Sequence, residues 1–180
     1  AYKDGRIAGH VFFLNAQGIV VGESGTLNVG SLTTATPTPE FMNDLIDASG
    51  NVSRQGTQRV LAGSLPLTES GLIRVEGSIN AADSISVRAG DVDISSSGAI
   101  NAGPPGRARF DAMVNTEGMD DVDAASGEVT LRAVNDATVD GTLRANGDET
   151  DGGKSTDAGG IHIKANRDIE VDGTVSAASN

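Results

Sequence analysis

One five-residue phrase, Gly-x-apolar-x-Ala, is written four times in this chain: "GSINA" at 77–81, "GAINA" at 98–102, "GTLRA" at 141–145 and "GTVSA" at 173–177. Longer units align on it. "SISVRAGDVDISSSGAINA" runs 84–102, "EVTLRAVNDATVDGTLRA" runs 128–145 and "IHIKANRDIEVDGTVSA" runs 161–177, while "LIRVEGSINA" at 72–81 carries the second half. Each unit reads as apolar-x-apolar-basic-Ala, a polar turn, apolar-x-apolar, a turn ending in Gly, and apolar-x-Ala. The pairs Ile85/Val87, Val92/Ile94, Val129/Leu131, Ile161/Ile163 and Ile169/Val171 alternate with polar residues, the two-residue period of a strand with one buried face. Strands of three to five residues are too short to be stable alone. Repeated short units stack instead, each covering its neighbour's apolar row.

Three short strands and about 20 residues per turn predict an all-β fold, a right-handed parallel β-helix (a β-solenoid) with extrahelical insertions, its coils rising about 4.8 Å each. The motif glycines then share one corner, where a positive φ or a tight bend is expected, and the small alanines fit the inner bend beside them. From Gly77 to Gly98 is 21 residues, one coil; from Gly98 to Gly141 is 43, which fits two coils; from Gly141 to Gly173 is 32, one coil plus a loop. Residues 1–180 therefore read as a single β-helix domain, or a fragment of a longer one. The chain opens without Met or a secretory leader and reads as mature or cut from a larger protein.

Three segments interrupt the rhythm, near 33–67, 103–127 and 146–160. In the first, Thr38 suits a helix N-cap, Pro39 the first helical position, and Phe41, Met42, Leu45 and Ile46 an apolar helix face. The second holds either a degenerate coil or a long loop. The third is a polar, glycine-rich loop.

Composition narrows the function classes. A net charge of -12 argues against nucleic acid as a partner, which needs clustered Lys and Arg. Without cysteine there is no disulfide framework and no thiolate metal site. No apolar run reaches the roughly 18 residues of a membrane span. His10 and His162 have no partner at metal-ligand spacing, and neither reads as catalytic. No nucleophile elbow or phosphate loop is present, so the chain reads as a non-enzyme without cofactors.

The remaining candidates each have two readings. Asp148, Asp151 and Asp157 in the third insertion are a calcium candidate, although their spacing matches no ordered calcium loop. Arg88, Arg132 and Lys164 fall at one coil position; stacked, they form a basic row that either faces an anionic glycan or lies solvated beside neighbouring Asp and Glu. The pairs Asp91/Asp93, Asp136/Asp140 and Asp168/Asp172 are expected to stack along one side, either as the carboxylates a polysaccharide-cleaving β-helix would need or as ordinary turn aspartates, since no spacing singles out an acid-base pair.

"HVFFLNAQGIVVGESGTLNVGSLTTATPT" at 10–38 resembles the secretion-domain signature of filamentous-haemagglutinin-like, two-partner-secreted exoproteins, a family of large filamentous adhesins. Asn15, Gly18, Ile19, Gly22, Asn28, Val29, Gly30 and Leu32 match the pattern; Ala16 and Gln17 stand where the family has Pro-Asn. The resemblance implies a secreted β-helix at the bacterial cell surface, exported through an outer-membrane pore partner, that acts as an adhesin or stalk. Its binding partner would be a cell-surface glycan or protein receptor, or further copies of itself in a filament. On this reading Asn15 and Asn28 are recognition residues; as plain corner residues they bond their own backbone or stack in a ladder.

Overall fold

A computed structural model describes residues 2–3, 6–7, 9–47, 49–103, 127–147, 149–150, 154–155 and 158–178. After a short antiparallel pair, β1 (Tyr2–Lys3) and β2 (Arg6–Ile7), the described residues wind through five coils of three strands. The first is β3 (His10–Leu14), β4 (Gly18–Val21) and β5 (Thr26–Val29). The second is β6 (Ser31–Ala35), β7 (Leu72–Val75) and β8 (Ser78–Ala81), with helices α1 (Pro39–Leu45) and α2 (Arg54–Leu61) inserted after β6. The third is β9 (Ser84–Ala89), β10 (Asp91–Ile94) and β11 (Ala99–Ala102); the fourth is β12 (Glu128–Ala133), β13 (Ala137–Val139) and β14 (Thr142–Arg144). A second antiparallel pair, β15 (Glu149–Thr150) and β16 (Lys154–Ser155), precedes the fifth coil, β17 (Gly160–Lys164), β18 (Ile169–Val171) and β19 (Thr174–Ser176).

Each strand pairs in parallel with its equivalent one coil away, giving three sheets of five strands: β3-β6-β9-β12-β17, β4-β7-β10-β13-β18 and β5-β8-β11-β14-β19. The fold is a parallel β-helix. Its interior is a set of columns. Leu32, Ile85, Val129 and Ile161 are stacked on the first sheet, Val75, Ile94, Val139 and Val171 on the second, and Ile79, Ile100, Leu143 and Val175 on the third. Through the middle coils these side chains are fully buried. Each removes enough apolar surface from water to contribute about 1.5–3 kcal/mol. Ala81, Ala102 and Ala145, which end three of the repeated phrases, lie in the same core.

One expectation from the repeat is corrected, and of the two alternatives for its corner glycines, a positive φ or a tight bend, the first falls away. The 43 residues between Gly98 and Gly141 do not hold two coils: β11 pairs directly with β14, Ile100 opposite Leu143, so the coils on either side of the 103–127 excursion are adjacent. Spacing counts residues and cannot tell a coil from a loop, because only strand pairing makes a coil. Residues 104–126 lie outside the described residues. Nor do the motif glycines need positive φ: Gly77, Gly98, Gly141 and Gly173 are not among the glycines with that conformation. They are needed for closeness. A Cβ on Gly77 would overlap the carbonyl oxygens of Gly22 and Gly25, one on Gly141 those of Ser95 and Gly98, and one on Gly173 that of Gly141. At this corner successive coils touch backbone to backbone. The glycine carbonyls accept from the residue after the next glycine: Ser78 N–H to Gly25 O at 2.9 Å, Thr142 N–H to Gly98 O at 2.9 Å, Thr174 N–H to Gly141 O at 2.8 Å.

The helical insertion leaves the coil path after Ala35 and rejoins it at Leu72. Thr38 caps α1, its Oγ1 accepting from Phe41 N–H at 3.3 Å, with Pro39 in the first turn. Phe41 and Leu45 are buried and Met42 is partly buried. Ile46 departs from the expected apolar face: it ends the helix in an extended conformation, bridges Val52 and is exposed. The second helix, α2, is polar over most of its length, and its register is set by the Ser53 cap and by Gly56, where a Cβ would press on Leu45. Together the helices close a second cluster of Ala35, Phe41, Leu45, Val60 and Leu65 over Phe12 and Leu14, on the face of β3 opposite Val11. This explains two apolar residues at positions where later coils carry polar ones.

Candidate functional site

The secretion-like signature occupies the first coil and the start of the second. Asn15 follows β3 and folds onto its own turn, its Oδ1 accepting from Gln17 N–H at 3.0 Å. Gly18 has φ +124, and a Cβ there would strike the Leu72 carbonyl oxygen, so backbone geometry demands glycine. Ile19 and Val29 pack against the core, and Leu32 is within it. Gly30 accepts from Asp83 N–H of the next coil at 2.9 Å. Gly22 is the exception: a Cβ there would meet nothing within 4 Å.

Asn28 begins a ladder. Asn80 Nδ2 donates to Asn28 Oδ1 at 2.9 Å, and Asn101 Nδ2 donates to Asn80 Oδ1 at 2.9 Å. Asn80 and Asn101 are buried, and Asn101 Oδ1 is the end of the run, without a partner among the described residues. The column continues as Arg144 and Ser176, which cannot extend an amide ladder. Removing the middle member breaks both bonds and strands buried amide groups. Asn80→Ala is expected to destabilise the fold by about 2 kcal/mol, measured by urea denaturation, and Asn28→Ala by less, since Asn28 is only partly buried.

The three basic residues do stack: Arg88 lies opposite Arg132, and Arg132 opposite Lys164, on the outer face of the first sheet. They are not equivalent. Arg88 is half-buried; its Nη1 donates to the Gly63 carbonyl at 2.5 Å and its Nε to Ser86 Oγ at 2.9 Å, so it ties the helical insertion to the third coil. Burial, and then the neighbouring charge of Arg132, lowers its pKa. Arg132 and Lys164 are exposed and form no ion pair among the described residues. Beside them runs a row that the repeat hides because its members differ in type: Ser86, Thr130 and His162, each two residues before a member of the basic row and in register with one another. The signal was present at the first position of "SVR", "TLR" and "HIK".

The aspartates support the coils. Asp91 Oδ1 accepts from Asp136 N–H at 3.2 Å, and Asp136 Oδ1 accepts from Asp168 N–H at 3.1 Å, so each carboxylate caps a turn of the coil beyond it. Arg167 grips Asp136 through Nε at 3.1 Å and Nη2 at 2.5 Å. Arg74 pairs with Asp93 on the next coil at 2.8 Å. The Arg167 guanidinium holds the Asp136 carboxyl below its ordinary value, helped by the Asp168 N–H and opposed by desolvation. A depressed folded-state pKa adds stability that is present above the ordinary value of 3.8 and is lost as the pH falls through the lower, folded one. Asp136→Asn is therefore expected to reduce the difference in denaturation midpoint between pH 7 and pH 3, an effect that added salt weakens because the pair is exposed.

His10 Nε2 bonds Thr33 Oγ1 at 2.8 Å and its ring stacks on Phe12, while His162 is exposed. No cluster of three or more His, Asp or Glu suited to a metal occurs among the described residues. The calcium candidates Asp148, Asp151 and Asp157 lie outside them. No helix among the described residues is long and apolar enough to cross a membrane.

Protein-family models, curated proteins and solved structures were compared with the chain, and none matches. The fold and its columns of side chains carry the functional argument.

Proposed function

We propose that the chain is a structural and adhesive β-helix segment of an exported bacterial protein of the filamentous-haemagglutinin kind. It acts at the cell surface or in the secreted state, passes an outer-membrane pore partner during export, and binds cells or glycans through a repetitive surface without catalysing a reaction. The observation that carries this reading is how the in-register polar side chains are used. Asn28, Asn80, Asn101, Asp91 and Asp136 all bond across to neighbouring coils, while the outer face of the first sheet keeps an ordered row of exposed groups. Fluorescent beads coated with the chain should adhere to epithelial cells or to immobilised glycans well above albumin-coated beads. Equal retention of the two would overturn the adhesive reading. Depolymerisation of a polysaccharide, read as a fall in viscosity, would replace it with the enzymatic one.

A second reading is a self-stacking filament, in which the strand edges of one β-helix pair with those of another copy. Fibres in electron micrographs that shorten on Val171→Lys would support stacking; a monodisperse monomer at high concentration would exclude it.

A further inference from the structure

We infer that the outer face of the first sheet across the fourth and fifth coils is a docking surface for an acidic, carboxylate-bearing polysaccharide, with Arg132 and Lys164 as its charge contacts and Thr130 and His162 as its hydrogen-bonding row. The inference rests on the adhesive reading and names the ligand class.

Three observations carry it. The first is that like charges are stacked where the fold does not require them. Arg132 lies directly between Arg88 and Lys164 in a parallel register, an arrangement that is unfavourable in itself. By contrast, Arg74 is matched by Asp93 on the second sheet, and Arg167 by Asp136 in the turns that lead into that sheet. In a chain of net charge -12, acidic partners are plentiful, yet Arg132 and Lys164 have none among the described residues. A bound carboxylate between two rungs supplies a countercharge to both.

The second is the geometry of the face. The strands place cations about 4.8 Å apart along the helix axis and put the Thr130/His162 row about 6.6 Å to one side. This is an ordered strip of cations next to hydroxyl and imidazole groups, all at positions where β12 and β17 point away from the core, bounded on β12 by Glu128, whose Oε1 accepts from the Thr130 hydroxyl at 3.0 Å. A sugar acid presents the same combination, a carboxylate with hydroxyls beside it. The third is a boundary: Arg88 is already engaged by the Gly63 carbonyl, so the helical insertion closes the strip at one end and the cations beyond it stay exposed.

The test is binding of the whole chain to polygalacturonate at low and at physiological salt, with neutral dextran, duplex DNA and anionic phosphatidylglycerol vesicles as competing probes. Arg132→Gln/Lys164→Gln should weaken polygalacturonate binding tenfold or more, whereas Arg74→Gln/Arg167→Gln, with the same change in net charge, should alter it less than twofold. Circular dichroism of both pairs should match the parent, since all four side chains are on the surface. No binding by the parent chain, equal losses in the two pairs, or preference for DNA or vesicles would each overturn the assignment. Bead adhesion separates the two readings: adhesion that survives Arg132→Gln/Lys164→Gln removes the strip and leaves an adhesin, while a parent chain that adheres to nothing removes the adhesive reading itself.

Discussion

Gly141→Ala lowers stability by about 3 kcal/mol, the upper part of the range for overpacking a site that cannot yield, and Gly22→Ala changes it by less than about 0.5 kcal/mol. Both substitutions add one methyl group to a turn glycine of the same β-helix. At Gly141 the methyl is driven into two carbonyl oxygens of the coil beneath, those of Ser95 and Gly98. Neither is the mobile end of a side chain. The Gly98 carbonyl is held by Thr142 N–H at 2.9 Å, so relief requires the two coils to separate and the ladder to stretch. At Gly22 the methyl enters open space. Thermal denaturation distinguishes the two: a chain of this size loses about 2–4 °C per kcal/mol, hence about 6–12 °C for Gly141→Ala. Equal midpoints for the two variants would refute the backbone-contact explanation of the repeated glycine. Gly22 also gives a clean probe of the secretion-like signature, because its substitution tests recognition without disturbing the coil.

Ile100→Ala is expected to cost about 4 kcal/mol, within the range for emptying a large aliphatic site in a packed core, and Ile169→Ala about 1 kcal/mol or less. Ile100 is 0% exposed on the third coil, with Ile79 below and Leu143 above it in the same column. Neighbours pinned by strand pairing on both sides cannot collapse into the cavity. Ile169 is also an inward residue, on the second sheet of the fifth coil opposite Ala137, but it is 49% exposed, so truncation removes little buried surface. Urea unfolding followed by far-ultraviolet circular dichroism reads both. A similar cost at both sites would mean that the fifth coil is covered in solution, the outcome that self-stacking requires.

The repeat was the most legible part of this protein, and the reason is physical. In a parallel stack every inward column meets the same environment at each rung, so the chain must present the same kind of residue at the same phase. Ile85, Val129 and Ile161 are one column and also one position of the aligned units. The basic row could be read the same way, since Arg88, Arg132 and Lys164 share a phase. Thr38, Pro39 and Phe41 likewise marked α1 through capping chemistry that acts over three residues.

Other features depended on contacts between residues distant in sequence. The pairing of β11 with β14 across the 103–127 excursion could not be counted from spacing, because a loop and a coil have the same length in residues. Arg88 carries the same basic signal as Arg132, yet it binds the carbonyl of Gly63, 25 residues earlier, because an insertion happens to fold over the third coil and not the fourth. The use of Asp91 and Asp136 as turn caps follows from which backbone N–H the next coil brings above each carboxylate. By itself the sequence determined the period, the inward face and the corner glycines, all consequences of local alternation and repetition. The tertiary structure alone decided which coils are neighbours, why the glycines are required and which cations remain exposed, because each is a property of two segments in contact and not of either alone.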